Sequence, residues 1–348
     1  SEKLGYKTKT FPGEYSSMQY TTLPGTDLAV SRIAMGCWAL AGDMTWGPQD
    51  EAAGIAAIHA ALDAGINFFD TAEAYGNGIS EQMLGKALAG ARDRAIVASK
   101  FNLDHSAAEQ VAAACHRSLE RLNADRIDLY QIHWPSRQTP REETWRALER
   151  LRDQGKIGYL AVSNFGVGDL EDLLVLGRPV SNQLPYSLLL RAIEFAILPQ
   201  CIAEEIGVLC YSPLQHGLLT GKFRTADEVP AGRARSRHFS SRRPLTRHGQ
   251  PGCEAETFAA IDRLCEIAAG LGRSAADVAL AWLLAQRGVS SVIVGIRGPE
   301  QAQRNAAAAE LHLDEATLAA LTEATDPVKR ILGENPDLWE SDEHSRFR

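Results

Sequence analysis

Residues 65–78 read GINFFDTAEAYGNG. An apolar run from Ile66 to Phe69 stops at Asp70, and Tyr75 follows five positions later, ahead of Gly76 and Gly78. Apolar and aromatic residues bounded by glycines read as a buried strand. The acid and the phenol then have two explanations: an ordinary turn, or two groups at a strand rim aimed at one pocket. The rest of the chain decides between them.

Similar short, β-rich runs occur at 32–36, Ala95–Lys100, Ile127–His133, Ile157–Ser163, Val180–Gln183, Val208–Ser212 and Val292–Gly295, which with Ile66–Asp70 makes eight. Helical patterns lie between them. Residues 50–65 carry Ile55, Ile58 and Leu62 at helical spacing and end at Gly65. Residues 106–123 open with Ser106 and Glu109 at capping-box spacing, and 139–155 and 274–288 are read the same way. Strands alternating with helices imply parallel strands joined by right-handed crossovers. Eight such units, with no G-x-G-x-x-G after the first, favour a closed (β/α)8 barrel over an open doubly wound sheet. Upstream, residues 18–36 read as a β-hairpin turning at Pro24-Gly25 and a further strand. The expected organisation is one barrel domain over 1–348: a leader 1–17, a core of about 18–325 and a tail 326–348.

The chain has 348 residues, 45% apolar and 23% charged, and a formal net charge of −8, which argues against nucleic acid as a partner. Six cysteines, Cys37, Cys115, Cys201, Cys210, Cys253 and Cys265, show no CxxC and read as reduced thiols of a cytoplasmic protein. The nine histidines show no metal-ligand spacing, so no metal is expected. No apolar stretch nears the roughly 20 residues that cross a bilayer, and the first 17 residues lack a signal peptide's apolar middle. A cytoplasmic monomer or homo-oligomer acting on a small molecule is the expectation.

In a parallel barrel, polar residues that end strands collect at one mouth. Asp70, Lys100 and His133 end three successive runs, and Tyr75 sits in the loop after the first. That set suits carbonyl reduction. A phenol is a weak acid, with an unperturbed pKa of ~10. An ammonium beside it stabilises phenolate and pulls that value down, so the proton can leave as hydride arrives. A carboxylate keeps the ammonium charged and in place, and an imidazole can orient the carbonyl oxygen.

The segments DTAEAYGNGISEQMLGKAL (70–88), ASK (98–100), LYQIHWP (129–135) and GKIGYLAVSNF (155–165) together resemble the aldo-keto reductase superfamily, from about Tyr20 to about Thr325. The resemblance implies a (β/α)8 TIM barrel and a catalytic tetrad of Asp70, Tyr75, Lys100 and His133, with Tyr75 the proton donor. It also implies an NADP(H)-dependent oxidoreductase that interconverts aldehydes or ketones and alcohols. Ser163, Asn164 and Gln183 would hold the carboxamide of a nicotinamide dinucleotide, and Tyr211 offers a flat face to its ring. Ser212, Leu214, Gly217 and Lys222 resemble pyrophosphate contacts. Gly295, Arg297, Gln301 and Asn305 resemble the adenosine end, where Pro299 opens a helix whose free N–H groups suit an anion. Arg297 would pair with a 2′-phosphate, which favours NADP(H) over NAD(H).

Two segments break the alternation. Residues 221–254 form a long basic loop on the C-terminal face, with Arg233, Arg235, Arg237, Arg242 and Arg243. It is either a solvated loop or, as residues 229–239 resemble the cofactor-covering loop of the superfamily's bacterial branch, a cover in which Arg235 would touch the dinucleotide. The tail holds Trp339, which closes the pocket or packs on another subunit. Trp38, Trp46, Trp134 and Phe165 fall in loops of the same face and are expected to wall a substrate site. MGCWALAGDMTWG (35–47) resembles the bacterial aldehyde reductase and polyol dehydrogenase branch, which implies small aldehyde, sugar or polyol substrates. Two rivals stay open: a cofactor-binding regulatory subunit of the same fold, and an aldolase that uses Lys100 as a Schiff-base amine.

Overall fold

A computed structural model describes residues 18–348; the expected leader 1–17 lies outside them. β1 (Tyr20–Thr22) and β2 (Ala29–Ser31) pair antiparallel around a turn in which Gly25 has φ 70°. The next eight strands are β3 (Ile33–Gly36), β4 (Phe68–Asp70), β5 (Ile96–Phe101), β6 (Ile127–Ile132), β7 (Ile157–Ser163), β8 (Ser181–Pro185), β9 (Gly207–Tyr211) and β10 (Val289–Gly295). They pair in chain order, all parallel, and β10 closes on β3. The result is the expected (β/α)8 barrel.

The helices around it are α1 (Glu51–Asp63), α2 (Ile79–Ala87), α3 (Ala108–Leu122), α4 (Arg141–Asp153), α5 (Val167–Leu174), α6 (Ile197–Ala203), α7 (Glu254–Gly270), α8 (Ala275–Leu284), α9 (Pro299–Ala308) and α10 (Glu315–Leu332). No single described helix is long and apolar enough to cross a membrane.

Helix starts follow the sequence in part. Asp50 caps α1 by accepting from Ala53 N at 2.8 Å, and Ser274 forms a capping box with Asp277 at α8. Ser106 does not cap α3. Its hydroxyl donates to Leu103 O at 2.7 Å, and the helix starts two residues later, where Ala108 N donates to Glu143 Oε1 of α4 at 2.9 Å. α4 likewise starts behind Pro140 with no side-chain cap. A neighbouring helix supplies what the local sequence was expected to supply. α10 also runs to Leu332, past the expected end of the core at 325.

The period of two along each strand sorts the side chains into two layers. Ala34, Phe68, Ile96, Ala98, Leu129, Ala161, Leu209 and Ile293 fill the barrel, sealed by Leu23, Leu28 and Val30 of the hairpin. Met35, Phe69, Val97, Tyr130, Ile132, Val162, Cys210 and Val294 join the helices' core. Two residues beyond the inner layer, on the same face, stand Asp70, Lys100, Gln131, Ser163, Tyr211 and Gly295. The register that packs the barrel thus aims polar groups at its C-terminal mouth.

Candidate active site

Asp70, Tyr75, Lys100 and His133 come together. Lys100 is fully buried and donates from Nζ to Asp70 Oδ2 at 2.8 Å, Thr71 O at 2.8 Å and Tyr75 Oη at 3.2 Å. Tyr75 meets the His133 ring edge-on, with centroids 6.0 Å apart. Asp70 Oδ1 accepts from Gln183 Nε2 at 2.7 Å and from Gln131 Nε2 at 3.3 Å, so the buried carboxylate is bonded on both oxygens. Gln131 escaped the sequence reading. It lies inside an apolar run, and only its alternation with Leu129 marks it as inward-facing.

The loop that carries Tyr75 is fixed from behind. Thr71 N and Glu73 N donate to Ala98 O and Lys100 O of β5. The buried Glu73 accepts from Asn102 N at 2.6 Å and meets His105 at 2.6 Å. Glu81, also buried, takes Ser99 Oγ and Arg121 Nη1.

The electrostatics differ from the expectation in one respect. Burial raises the Tyr75 phenol pKa by more than the Lys100 cation lowers it, so the phenol keeps its proton at neutral pH. Burial would lower Lys100, but Asp70 and Tyr75 outweigh it and the ammonium is held charged. Burial, then Lys100 and Arg346, push the His133 imidazole down to about 3, so it is neutral.

The residues expected to hold a carboxamide adjoin this cluster and are linked to it. Asn164, at φ 63°, donates from Nδ2 to His133 O and Ser163 Oγ and accepts from Tyr211 Oη at 2.8 Å. Ser163 Oγ donates to Gln183 O. After Tyr211 the backbone turns left-handed at Ser212, Gln215, His216 and Gly217 (φ 54°, 44°, 54° and 94°). Three of those four are not glycine, and such strain gathers at functional sites. Among the described residues, both amide atoms of buried Gln215, His216 Nε2 and Trp46 Nε1 find no hydrogen-bond partner. Buried polar atoms ordinarily have hydrogen-bond partners, so this rim suits a polar ligand. Neither Gln215 nor His216 was singled out from the sequence. Lys222 stands exposed beyond the turn, with its Nζ 4.8 Å from the Phe223 ring centre.

At the far side, Arg297 donates to Gln49 Oε1, Trp46 O and Pro48 O, and its N–H bonds to Gln301 Oε1. It thereby ties the loop after β3 to the start of α9. Gly295 is exposed and Gly298, just before α9, has open space beside it. Asn305 lies two turns further along α9.

The basic loop is not a solvated one. Arg237 is 3% exposed and donates to Gln250 Oε1, Asn335 O, Leu332 O and Asp342. Arg243 pairs with Glu254 and Asp227, while Arg242 is exposed. Arg233 and Arg235 reach across to Thr45 of the loop after β3. Through Arg237 the loop holds the tail, which crosses the mouth of the barrel.

Aromatic rings wall that mouth. Trp38 stacks on Tyr75 at 6.1 Å and meets Trp46 edge-on at 5.4 Å. His216 packs among Trp38, Trp46 and Trp339, and Arg235 lies 4.4 Å from the Trp339 ring centre. Trp134 meets Arg346 and Phe347 of the tail. Phe165 departs from the expectation. It is fully buried in the helical core, because the chain turns at Asn164 and sends the next side chain outward.

Residues 32–326 match the model of the aldo/keto reductase family. The chain is 36% identical over 295 residues to the aldo-keto reductase YhdN of Bacillus subtilis, covering 82% of this chain and 86% of that one. It is 31% identical to the NADH-specific methylglyoxal reductase of Escherichia coli, covering 90% and 100%. Its fold is similar to that of an aldo-keto reductase from Klebsiella pneumoniae solved in complex with NADPH, with a TM-score of 0.70 at 28% identity, covering 88% and 94%.

Proposed function

As the chain belongs to the aldo/keto reductase family, we propose that it is an NADP(H)-dependent reductase of small aldehydes and ketones, working in reverse on alcohols, with Tyr75 as proton donor. The observation that carries this reading is the position of Lys100 Nζ, within hydrogen-bond reach of both Asp70 Oδ2 and Tyr75 Oη.

The left-handed turn after β9, the Gln215 and His216 atoms without a partner among the described residues and the open backbone at Gly298 suit a dinucleotide across this face. Ser163, Asn164 and Gln183 would hold its carboxamide and Tyr211 its ring. Ser212, Leu214, Gly217 and Lys222 would take the pyrophosphate, with Arg235 above. Gly295, Arg297, Gln301 and Asn305 would take the adenosine end. When bound, NADPH supplies the hydride.

The remaining work belongs to the chain. Trp38 and Trp46 wall the substrate, and Trp134 flanks His133. His133, neutral, donates a hydrogen bond to the carbonyl oxygen without competing for its proton. Tyr75 passes its proton to that oxygen as negative charge builds there. The Lys100 ammonium then faces a phenolate, which it stabilises more than the phenol. Asp70 holds the ammonium, and Gln183 and Gln131 hold Asp70. An ion-paired, fully buried lysine is a poor amine nucleophile, which counts against the aldolase.

The test is consumption of NADPH and of NADH by the purified chain with a panel of small aldehydes. Turnover supports the reductase; tight NADPH binding without turnover of any aldehyde favours the regulatory subunit. Arg297→Ala should weaken NADPH far more than NADH in a tryptophan-quenching titration, and equal losses would remove Arg297 from the 2′-phosphate.

A further inference from the structure

We propose that Arg346 is a specificity-determining residue that receives a carboxylate carried by the carbonyl substrate. This rests on the reductase reading of the same site and narrows its substrate to anionic oxo compounds.

Arg346 is built into the mouth. Its Nε and Nη2 donate to Asp337 Oδ2 and Oδ1 at 2.7 and 2.8 Å, a two-pronged contact with a carboxylate that is fully buried. Asp337 is itself fixed by the N–H groups of Trp339 and Arg346. The guanidinium carbon lies 3.6 Å from the ring centre of Trp134, the residue after His133. Arg137 holds the Arg346 carbonyl, and Phe347 meets Trp134 edge-on. So the plane of the guanidinium is set from two directions.

Among the described residues, Nη1 of this guanidinium has no acceptor. Its side chain is 36% exposed, whereas Asp337 beneath it is sealed. The charge is close enough to act on both His133 and Tyr211. Its stack on Trp134 sets it beside His133, the group assigned to the carbonyl oxygen. An arginine clamped by one carboxylate and stacked on an indole presents its remaining N–H groups in a fixed direction. Among the described residues no carboxylate is left for them: Asp337 is taken by Nε and Nη2, and Glu340 pairs with Arg247. A substrate with its carbonyl at Tyr75 and a carboxylate at its other end supplies one.

The test compares 4-oxobutanoate with the uncharged 4-oxobutanamide, equal in length, as substrates with NADPH. The wild type should prefer the carboxylate by about tenfold to a hundredfold in kcat/KM, the range of a charge-assisted hydrogen bond. Arg346→Gln should collapse that ratio, with the loss in KM for the carboxylate. Arg346→Lys, which keeps the charge and loses the fork, should retain part of it. A tail merely loosened by the substitution would slow both substrates alike and leave the ratio standing, which would overturn the proposal. So would a wild type without preference. If neither substrate turns over, the aldehyde panel decides the reductase reading separately, and a succinate titration followed by tryptophan fluorescence decides the anion site. Saturable quenching lost in Arg346→Gln supports it, and no quenching contradicts it.

Discussion

The Lys100–Asp70 pair joins two charges with almost no exposure, 0% and 3% for their side chains. Removing one partner of such a pair strands the other, typically at about 3–5 kcal/mol. Lys100→Met should therefore destabilise the fold by about that much. Adding Asp70→Asn should recover most of the loss without restoring turnover, as chemical denaturation and a rate assay on each variant would show. No recovery would mean that Asp70 is not the stranded charge. His133 adds a prediction in pH. With its imidazole held down to about 3, kcat/KM should show no ionisation near pH 6.5 that His133→Gln removes. Asp70, Lys100 and His133 were legible because each closes an apolar run. Gln131 was not, since it lies one position inside such a run, and Phe165 was misplaced because a single positive-φ residue, Asn164, reverses its direction.

Among the elements, the contact that fixes the Tyr75 loop from outside is that of α2 on the end of α3. A Cβ at Gly85 would stand 2.7 Å from Arg121 O and from the Leu122 backbone, and backbone cannot swing aside. Helix propensity alone favours alanine over glycine by about 1 kcal/mol. Overpacking opposes it by about 1–3 kcal/mol, so Gly85→Ala should destabilise and lower turnover together. A more stable, equally active variant would contradict the close approach. At α8, Ser274→Ala should cost about 1 kcal/mol in urea unfolding, because its hydroxyl caps Asp277 N. The eight-strand alternation was readable because barrel strands are apolar on both faces. The cap of α3 was not, because it comes from Glu143 on another helix.

At the scale of the molecule, the tail and the basic loop close over the barrel and bury histidines as they do so. His216 and His238 are 6% and 1% exposed, and burial, with nearby arginines, pushes them down to about 3 and about 4. Unfolded, each would titrate near 6.5. Between the two values the unfolded chain binds more protons, so stability is whole above about pH 6.5 and falls as the pH drops toward 4. These two protons give about 2.7 kcal/mol per pH unit near pH 5, and His133, held down to about 3, adds about 1.4 more. Urea unfolding at pH 7, 6 and 5 should show that fall, flattened in His238→Gln. A flat profile in the wild type would mean that these histidines are charged or exposed. The closing of the mouth was the least legible part of the chain. Arg237 reaches Leu332 and Asn335, and Arg348 reaches Asp169, across separations that no local pattern encodes.

The central claim is that Tyr75 delivers the proton while Lys100 prepares for the phenolate. The most direct measurement is the single-turnover rate of NADPH oxidation by Tyr75→Phe beside the wild type, with NADPH affinity taken on the same samples. The account predicts a rate lower by about a hundredfold or more, the range of general acid catalysis, at nearly unchanged affinity. A rate within a few-fold of the wild type would contradict it.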